Sequence, residues 1–270
     1  MTATEASVST RHTEWQLAEV RDLVVETPRV KSLLLRPAGW PGHLPGQHVD
    51  VRLTAGDGYQ AQRSYSIASA PEDALLALTV ERVKDGEVSP YLLDELRAGD
   101  QLELRGPIGG YFVWTSALHA PLCLIAGGAG VTPLMAMLRH RDKSSGRAPA
   151  VLMYSARSLD DVIYYDELDA MARRDNRLRV IHALTRPAGG TSVRSLEHKN
   201  RTLRPLRRMS AMNNVTDLVL DGDAVANALR QLFVPDITLA TIRCGACDCL
   251  SSVLDLVCRS DGSGAEMRGL

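Results

Sequence analysis

Arg63, Tyr65 and Ser66 of the segment Arg63-Ser64-Tyr65-Ser66-Ile67-Ala68-Ser69 place a permanent planar cation, a flat ring with a terminal hydroxyl and a small hydroxyl within four residues. A guanidinium fork matches a pyrophosphate, an aromatic face covers a flat heterocycle, and a serine hydroxyl hydrogen-bonds a ring nitrogen. In an extended strand side chains alternate, so Arg63 and Tyr65 share one face and Ser66 takes the other unless the chain bends. By residue type alone, an edge strand with a solvent-facing Arg63 and a packed Tyr65 is the simpler reading. Two glycine-containing loops follow, each entering a helix at a Ser-Pro or Thr-Pro step: Gly86-Glu87-Val88-Ser89-Pro90 and Gly127-Gly128-Ala129-Gly130-Val131-Thr132-Pro133. Helix N-termini collect unpaired N–H groups and the positive end of the peptide dipoles, so each start can bind phosphate. Two such starts point to two dinucleotides. Three glycines in the second loop exceed what a strand-to-helix bend needs, and their spacing is not the G-x-G-x-x-G fingerprint.

Different elements must position the two loops. Between residues 15 and 116 short Val- and Leu-rich segments alternate with Gly, Pro and Asp turns: 16–25, 30–35, 48–53, 63–68, 75–83 and 101–104. Closely spaced strands of this kind predict an antiparallel barrel of six strands, interrupted by one helix over 90–96 with Ser89 as N-cap and Pro90 at N1. From 117 to 186 the rhythm becomes β-α-β-α-β, with strands at 122–126, 151–155 and 179–184 and helices at 133–139 and 164–173, which predicts a parallel sheet. The fold class is therefore all-β followed by α/β. Residues 187–213 dissolve into Gly, Ser and basic residues and read as a linker, since Arg201, Arg204, Arg207 and Arg208 have no aromatic neighbours to stack bases. Residues 214–270 form a small segment with strand patterns at 215–220 and 237–242, a helical stretch at 224–233 and four cysteines.

Thirty-one Lys+Arg against 32 Asp+Glu leave a formal net charge of −1, so no global field draws the chain to nucleic acid or an anionic membrane. No apolar run approaches the roughly 20 residues that span a bilayer, and the polar stretch before Trp15 lacks the apolar core of a secretory signal. Five cysteines, four of them Cys244, Cys247, Cys249 and Cys258, fit reduced thiols in the cytoplasm better than a disulfide framework. None of the seven histidines has metal-ligand spacing with another, and no metal is expected.

Arg63-Ser64-Tyr65-Ser66 resembles the R-x-Y-S flavin motif of the ferredoxin–NADP reductase family, Gly86-Glu87-Val88-Ser89 its G-x-x-S pyrophosphate loop, and Gly127 to Pro133 its G-G-x-G-x-T-P nucleotide loop. All three stand in family order, and Gly106-Pro107-Ile108-Gly109-Gly110-Tyr111-Phe112 looks like the segment that closes the barrel. The resemblance implies FAD held by Arg63, Ser64, Tyr65, Ser66, Ile67, Val80, Gly86, Val88 and Ser89, with Ser66 near the reacting flavin nitrogen. It implies NADPH or NADH held by Gly127, Gly128, Gly130 and Thr132, with Thr132 at the nicotinamide or flavin edge. The implied activity is hydride transfer from nicotinamide to FAD, then electron transfer to an iron–sulfur or other acceptor protein. The alternative is a flavin-binding module without productive nicotinamide binding. Arg157, just after the second parallel strand, can meet a 2′-phosphate and favours NADPH, or it can pair with Asp160 or Asp161.

The resemblance weakens after 186, where the family continues with further β-α units and a C-G-P motif. Val219-Leu220-Asp221-Gly222 and Arg243-Cys244-Gly245-Ala246 are two degenerate candidates for that motif. Residues 214–258 look more like a short uncharacterised bacterial family that begins L-D-G-(N/D)-A and carries zinc-ribbon-like C-x-x-C pairs. Leu220-Asp221-Gly222-Asp223-Ala224 and Cys244-Gly245-Ala246-Cys247 agree with it, while a second C-x-x-C pair is absent.

Overall fold

The computed structural model describes residues 14–117, 122–145 and 147–184, with the backbone of two short strands at 215–218 and 238–241. These fall into two compact units. Among the described residues, one comprises 14–115 together with Thr132–Lys143, the other those of 116–131 and those from Ser144 onward.

The first unit is built on β1 (Gln16–Thr27), β2 (Val30–Pro37), β3 (His48–Thr54), β4 (Gln60–Ser66), β5 (Leu76–Glu81) and β6 (Gln101–Ile108), paired antiparallel in the order β4-β3-β6-β1-β2-β5. Past the end of β4 the chain bends onto the far edge: Ile67 bridges Leu78, and the Ala68 N–H donates to Ala77 O at 2.8 Å. This contact turns an open sheet into the expected barrel and removes an edge that would otherwise invite pairing. Inward residues such as Val20, Leu33, Val49, Val51, Leu78 and Leu104 are fully buried and form the core. On the outer face the Trp15 ring lies 4.1 Å from the Arg52 guanidinium and 5.0 Å from that of Arg105.

The helix in the barrel, α1, spans Val88–Asp94, two residues earlier than the sequence indicated. Ser89 is not its N-cap. Glu87 holds that position without a side-chain cap bond, while the Ser89 hydroxyl accepts the Val83 N–H at 3.0 Å. Serine can satisfy a loop donor as readily as a helix donor, and here the loop takes it.

In the second unit, β7 (Leu122–Gly127), β8 (Ala150–Ala156) and β9 (Leu178–Leu184) are parallel and almost continuously apolar, as strands covered on both faces must be. A 3-10 turn over Gly128–Gly130 links β7 to helix α2 (Val131–Lys143), and α3 (Tyr165–Arg174) precedes β9. The sheet does not stop at three strands. Val215–Leu218 (β10) pairs with β9 and Thr238–Thr241 (β11) with β7, both parallel, giving the order β10-β9-β8-β7-β11. Two patterns read from the separate C-terminal segment thus become edge strands of the nucleotide-type sheet. The linker, the helical stretch at 224–233 and all four C-terminal cysteines lie outside the described residues.

His182 on β9 is fully buried, with the Tyr154 and Tyr165 rings at 6.0 and 5.5 Å. Burial pushes its pKa down to about 4, opposed only by the charge of Asp169. Between pH 4 and 6.5 the unfolded chain therefore binds a proton that the folded one refuses, so stability rises with pH across that window. Folding stability should be at its plateau above pH 6.5 and fall by about 3 kcal/mol as pH drops toward 4. Denaturant midpoints at steps across this range check it, and a His182→Phe variant should lose that part of the pH slope.

Candidate functional site

The closure of the barrel orders β4 from an open end to a locked one. Arg63 is exposed, Tyr65 and Ser66 are half-buried, and Ile67 is fully buried. Register with β3 pairs Arg63 with Val51, Tyr65 with Val49 and Ser64 with Asp50. Arg63 and Tyr65 therefore share the face of the core valines, while Ser64 stands on the other side, as alternation requires. The Ser64 hydroxyl donates to Asp50 at 2.5 Å, and Arg105 also bonds that carboxylate at 2.9 Å. Burial alone would raise the Asp50 pKa, but these donors outweigh it and hold the carboxyl below its ordinary value. Ser64 is thereby engaged within the sheet.

On the other face the groups remain available. The Arg63 guanidinium donates to the Gln62 carbonyl at 2.6 Å and meets no carboxylate among the described residues. Arg29, Arg52, Arg82 and Arg105 are paired with acids, whereas Arg97, like Arg63, donates to backbone carbonyls. Tyr65 packs against the core, and desolvation pushes its pKa up to about 12 despite the nearby Arg63 charge. Its phenol is neutral at any physiological pH. Ile67 and Val80 are fully buried within the core.

The α1 loop stands on the same unit. Gly86 is confined by Val83: a Cβ there would lie 3.2 Å from both the Val83 Cβ and its carbonyl oxygen. Val88 and Ser89 are buried, and their place in the first turn leaves their N–H groups among the donors a helix cannot satisfy internally. Sequence reasoning missed a pair beside this turn. The Tyr59 hydroxyl donates to both Glu87 carboxylate oxygens at 3.1 Å, which raises the tyrosine pKa and occupies an acid adjoining the expected pyrophosphate. No local pattern connects residues 28 positions apart in sequence.

In the nucleotide loop Gly128–Gly130 form the 3-10 turn, and α2 begins at Val131, two residues earlier than the sequence indicated, so Thr132 lies within its first turn. Gly128 sits at φ +52, in the left-handed region, and the Val131 N–H closes the turn on the Gly128 and Ala129 carbonyls. Gly127 pairs in register with Ser155, so the loop and the β8 end share the carboxyl edge of the sheet. Arg157, just beyond β8, donates to Asp161 at 2.9 Å, while Ser158 donates to the other oxygen of the same carboxylate at 2.8 Å. The ion-pair alternative for Arg157 is the one observed. Thr132 is buried in the first turn of α2.

The described residues fit a flavin dinucleotide: an unpaired cation for the pyrophosphate, a neutral aromatic face and an uncommitted Ser66 hydroxyl at the locked end of one strand. They also contain no helix long and apolar enough to cross a membrane.

Comparison with known proteins agrees with this geometry. Residues 15–113 match an oxidoreductase FAD-binding domain, residues 124–214 an oxidoreductase NAD-binding domain, and residues 213–269 a family of unknown function, DUF6510. Ferredoxin–NADP reductase B of Sorangium cellulosum is 37% identical over 182 residues, covering 66% of this chain and 71% of that protein. Methane monooxygenase component C of Methylosinus trichosporium is 33% identical over 150 residues, covering 56% of this chain and 43% of that protein. The chain thus spans less than half the length of the first curated relatives it matches. Among solved structures, a ferredoxin NADP+ reductase from Neisseria gonorrhoeae with bound FAD and NADP covers 94% of each chain with a TM-score of 0.68 at 15% identity, a likeness of fold.

The Val83–Ser89 bond is the local tie that shapes the α1 loop. Ser89→Ala should cost about 1 kcal/mol of stability and raise hydrogen exchange at the Val83 amide at least about fivefold. Exchange measured by NMR checks this, and an unchanged Val83 rate would show that another group restrains the loop.

Proposed function

We propose, because the chain belongs to the ferredoxin–NADP reductase family, that it is an NAD(P)H-dependent flavoprotein oxidoreductase that takes a hydride from nicotinamide and passes electrons on to an acceptor protein. Bound FAD would supply the hydride-accepting and electron-transferring chemistry, which no side chain here can replace. The observation that carries the reading is the acid-free Arg63 on the strand that also presents Tyr65 and Ser66.

Each residue has a physical task. Arg63 and the first-turn N–H groups of α1 hold the pyrophosphate, since both direct positive potential at one anion. The neutral Tyr65 ring covers the isoalloxazine, and the Ser66 hydroxyl donates a hydrogen bond to the reacting ring nitrogen. Gly127, Gly128 and Gly130 let the backbone reach the second pyrophosphate, and Thr132 stands at the nicotinamide or flavin edge. These groups bind, orient and exclude water, so rate enhancement comes from proximity rather than acid–base catalysis. The acceptor is an iron–sulfur or comparable electron-carrier protein, by analogy with the oxygenase and ferredoxin reductases to which the chain is similar.

Purified protein should be yellow with about one FAD per chain and should bleach anaerobically with NADPH or NADH. Arg63→Ala should weaken FAD binding roughly tenfold to hundredfold, as expected for one charge-assisted hydrogen bond set. Colourless protein that takes up neither FAD nor FMN sinks the proposal. Yellow protein inert to both nicotinamides supports instead a flavin-binding module. The Arg157–Asp161 pair gives a second expectation. Asp161→Asn frees the guanidinium and should raise the NADPH-to-NADH ratio of kcat/KM about threefold to tenfold, as a 1 kcal/mol change in one surface pairing allows. An unchanged ratio would place the 2′-phosphate away from Arg157.

A further inference from the structure

The loop that follows the flavin-motif strand is gripped by a helix far away in sequence. Arg139 Nη1 donates to the Ala68 carbonyl at 2.8 Å, His140 Nδ1 lies 2.6 Å from a Glu72 carboxylate oxygen, and Lys143 pairs with Asp73. All three basic residues lie on the last turns of α2 and face a stretch of only six residues. The loop is also tied internally and from the other side. Asp73 accepts the Ala70 N–H at 2.7 Å, the Ser69 hydroxyl accepts the Ala77 N–H at 3.0 Å, and His43 Nε2 lies 3.0 Å from the Ser69 carbonyl oxygen. The His140 ring meets the buried Trp114 edge-on at 5.6 Å, which fixes its direction.

Ala68 is fully buried and stands two residues beyond Ser66. Its N–H is held by β5 and its carbonyl by Arg139, so both backbone groups of one residue are fixed by elements that do not belong to β4. A short bonded span cannot absorb a shift at Ala68 without passing part of it to Ser66. Arg139 is thus placed to act on the position of Ser66 through the backbone.

We propose that Arg139, His140 and Lys143 form a clasp that positions the Ser66–Asp73 segment, and that Arg139, acting through the Ala68 carbonyl, sets where the Ser66 hydroxyl stands during flavin reduction. They are positioning residues. The inference rests on the preceding reading of Ser66 as the flavin's hydrogen-bond donor. It adds that the helix entered through the nucleotide loop also holds the flavin strand in register.

The test is anaerobic stopped-flow reduction of the FAD-loaded full chain by NAD(P)H, with the limiting rate and half-saturation read separately and normalised to bound flavin. Arg139→Ala should lower the limiting rate about tenfold to hundredfold with half-saturation unchanged, the scale expected for a misplacement near 1 Å. Arg139→Lys, which keeps a cationic donor, should recover to within about threefold of the parent. A merely structural role would lower flavin content or melting temperature without altering the limiting rate of molecules that hold flavin. An alanine variant reducing within about twofold of the parent overturns the proposal, as does a slow variant that lysine leaves equally slow. If Arg139→Ala fails to fold, His140→Gln with Lys143→Met opens the outer half of the clasp and should slow the limiting rate at least about threefold; no slowing overturns the proposal. A parent protein that is colourless or inert to both nicotinamides overturns the functional reading itself and the clasp's role with it, whereas an active parent with equally active variants overturns only the clasp.

Discussion

Barrel closure at Ile67 and Ala68 is the contact on which the remaining geometry depends. β4 begins as an edge strand and would stay one if the chain did not bend there onto β5. The Ile67 N–H donates to Gln47 O, just before β3, at 3.0 Å, and the Ala68 N–H donates to Ala77 O of β5 at 2.8 Å, so two consecutive residues bond in two different directions. Seven residues therefore run from solvent to a fully packed corner. A cation can sit at the wet end, where desolvation costs little, and a small hydroxyl at the dry end, where it keeps one direction. Neither end alone would make a site.

Electrostatics separates the two faces of that strand. The outer face is self-contained, because Asp50 is held by Ser64 and Arg105 while Arg52 bonds Glu103 through two nitrogens at 2.9 Å. The inner-side neighbours of Arg63 are valines, which offer no counter-charge. On the α1 loop the Glu87 carboxylate accepts the Tyr59 hydroxyl.

Period-2 alternation places Arg63 and Tyr65 on one face, and Val and Leu mark five of the six barrel strands, because both signals are local, whereas β4 itself holds neither Val nor Leu. The α1 boundary was misread since Ser-Pro is an equally good start signal whether or not the serine caps; what decided it was the distant Val83 N–H. Val80 and Ile67 carry the apolar character of a ring-binding residue, and the closed barrel buries both in its core. The clasp was invisible for a different reason. The helical pattern read from the sequence ends at Arg139, so His140 and Lys143 fall beyond it, and the partners of all three lie about seventy residues away in a loop with no strand or helix pattern.

The parallel sheet raises a separate constraint. With only β7, β8 and β9 it would present two outer strands, each with a row of unpaired backbone groups, and parallel strands are rarely tolerated in that state. Here β10 and β11 pair with those two strands, and both come from the stretch that matches a family of unknown function rather than from the NAD-binding match that ends at 214. Sequence similarity and sheet membership therefore draw different boundaries. The register explains how that is possible: four residues on each side suffice, Val215–Leu218 against Val180–Ala183 and Thr238–Thr241 against Leu122–Ile125, and backbone pairing makes little demand on side-chain identity. A segment of unrelated sequence can complete a sheet if it supplies two short β-forming runs at the right separation, whereas a ligand loop needs particular residues. Glycine at the left-handed position 128 is such a residue, and it lies inside the conventional match. The edges of this domain are consequently open to substitution by foreign sequence in a way that its phosphate-facing centre is not.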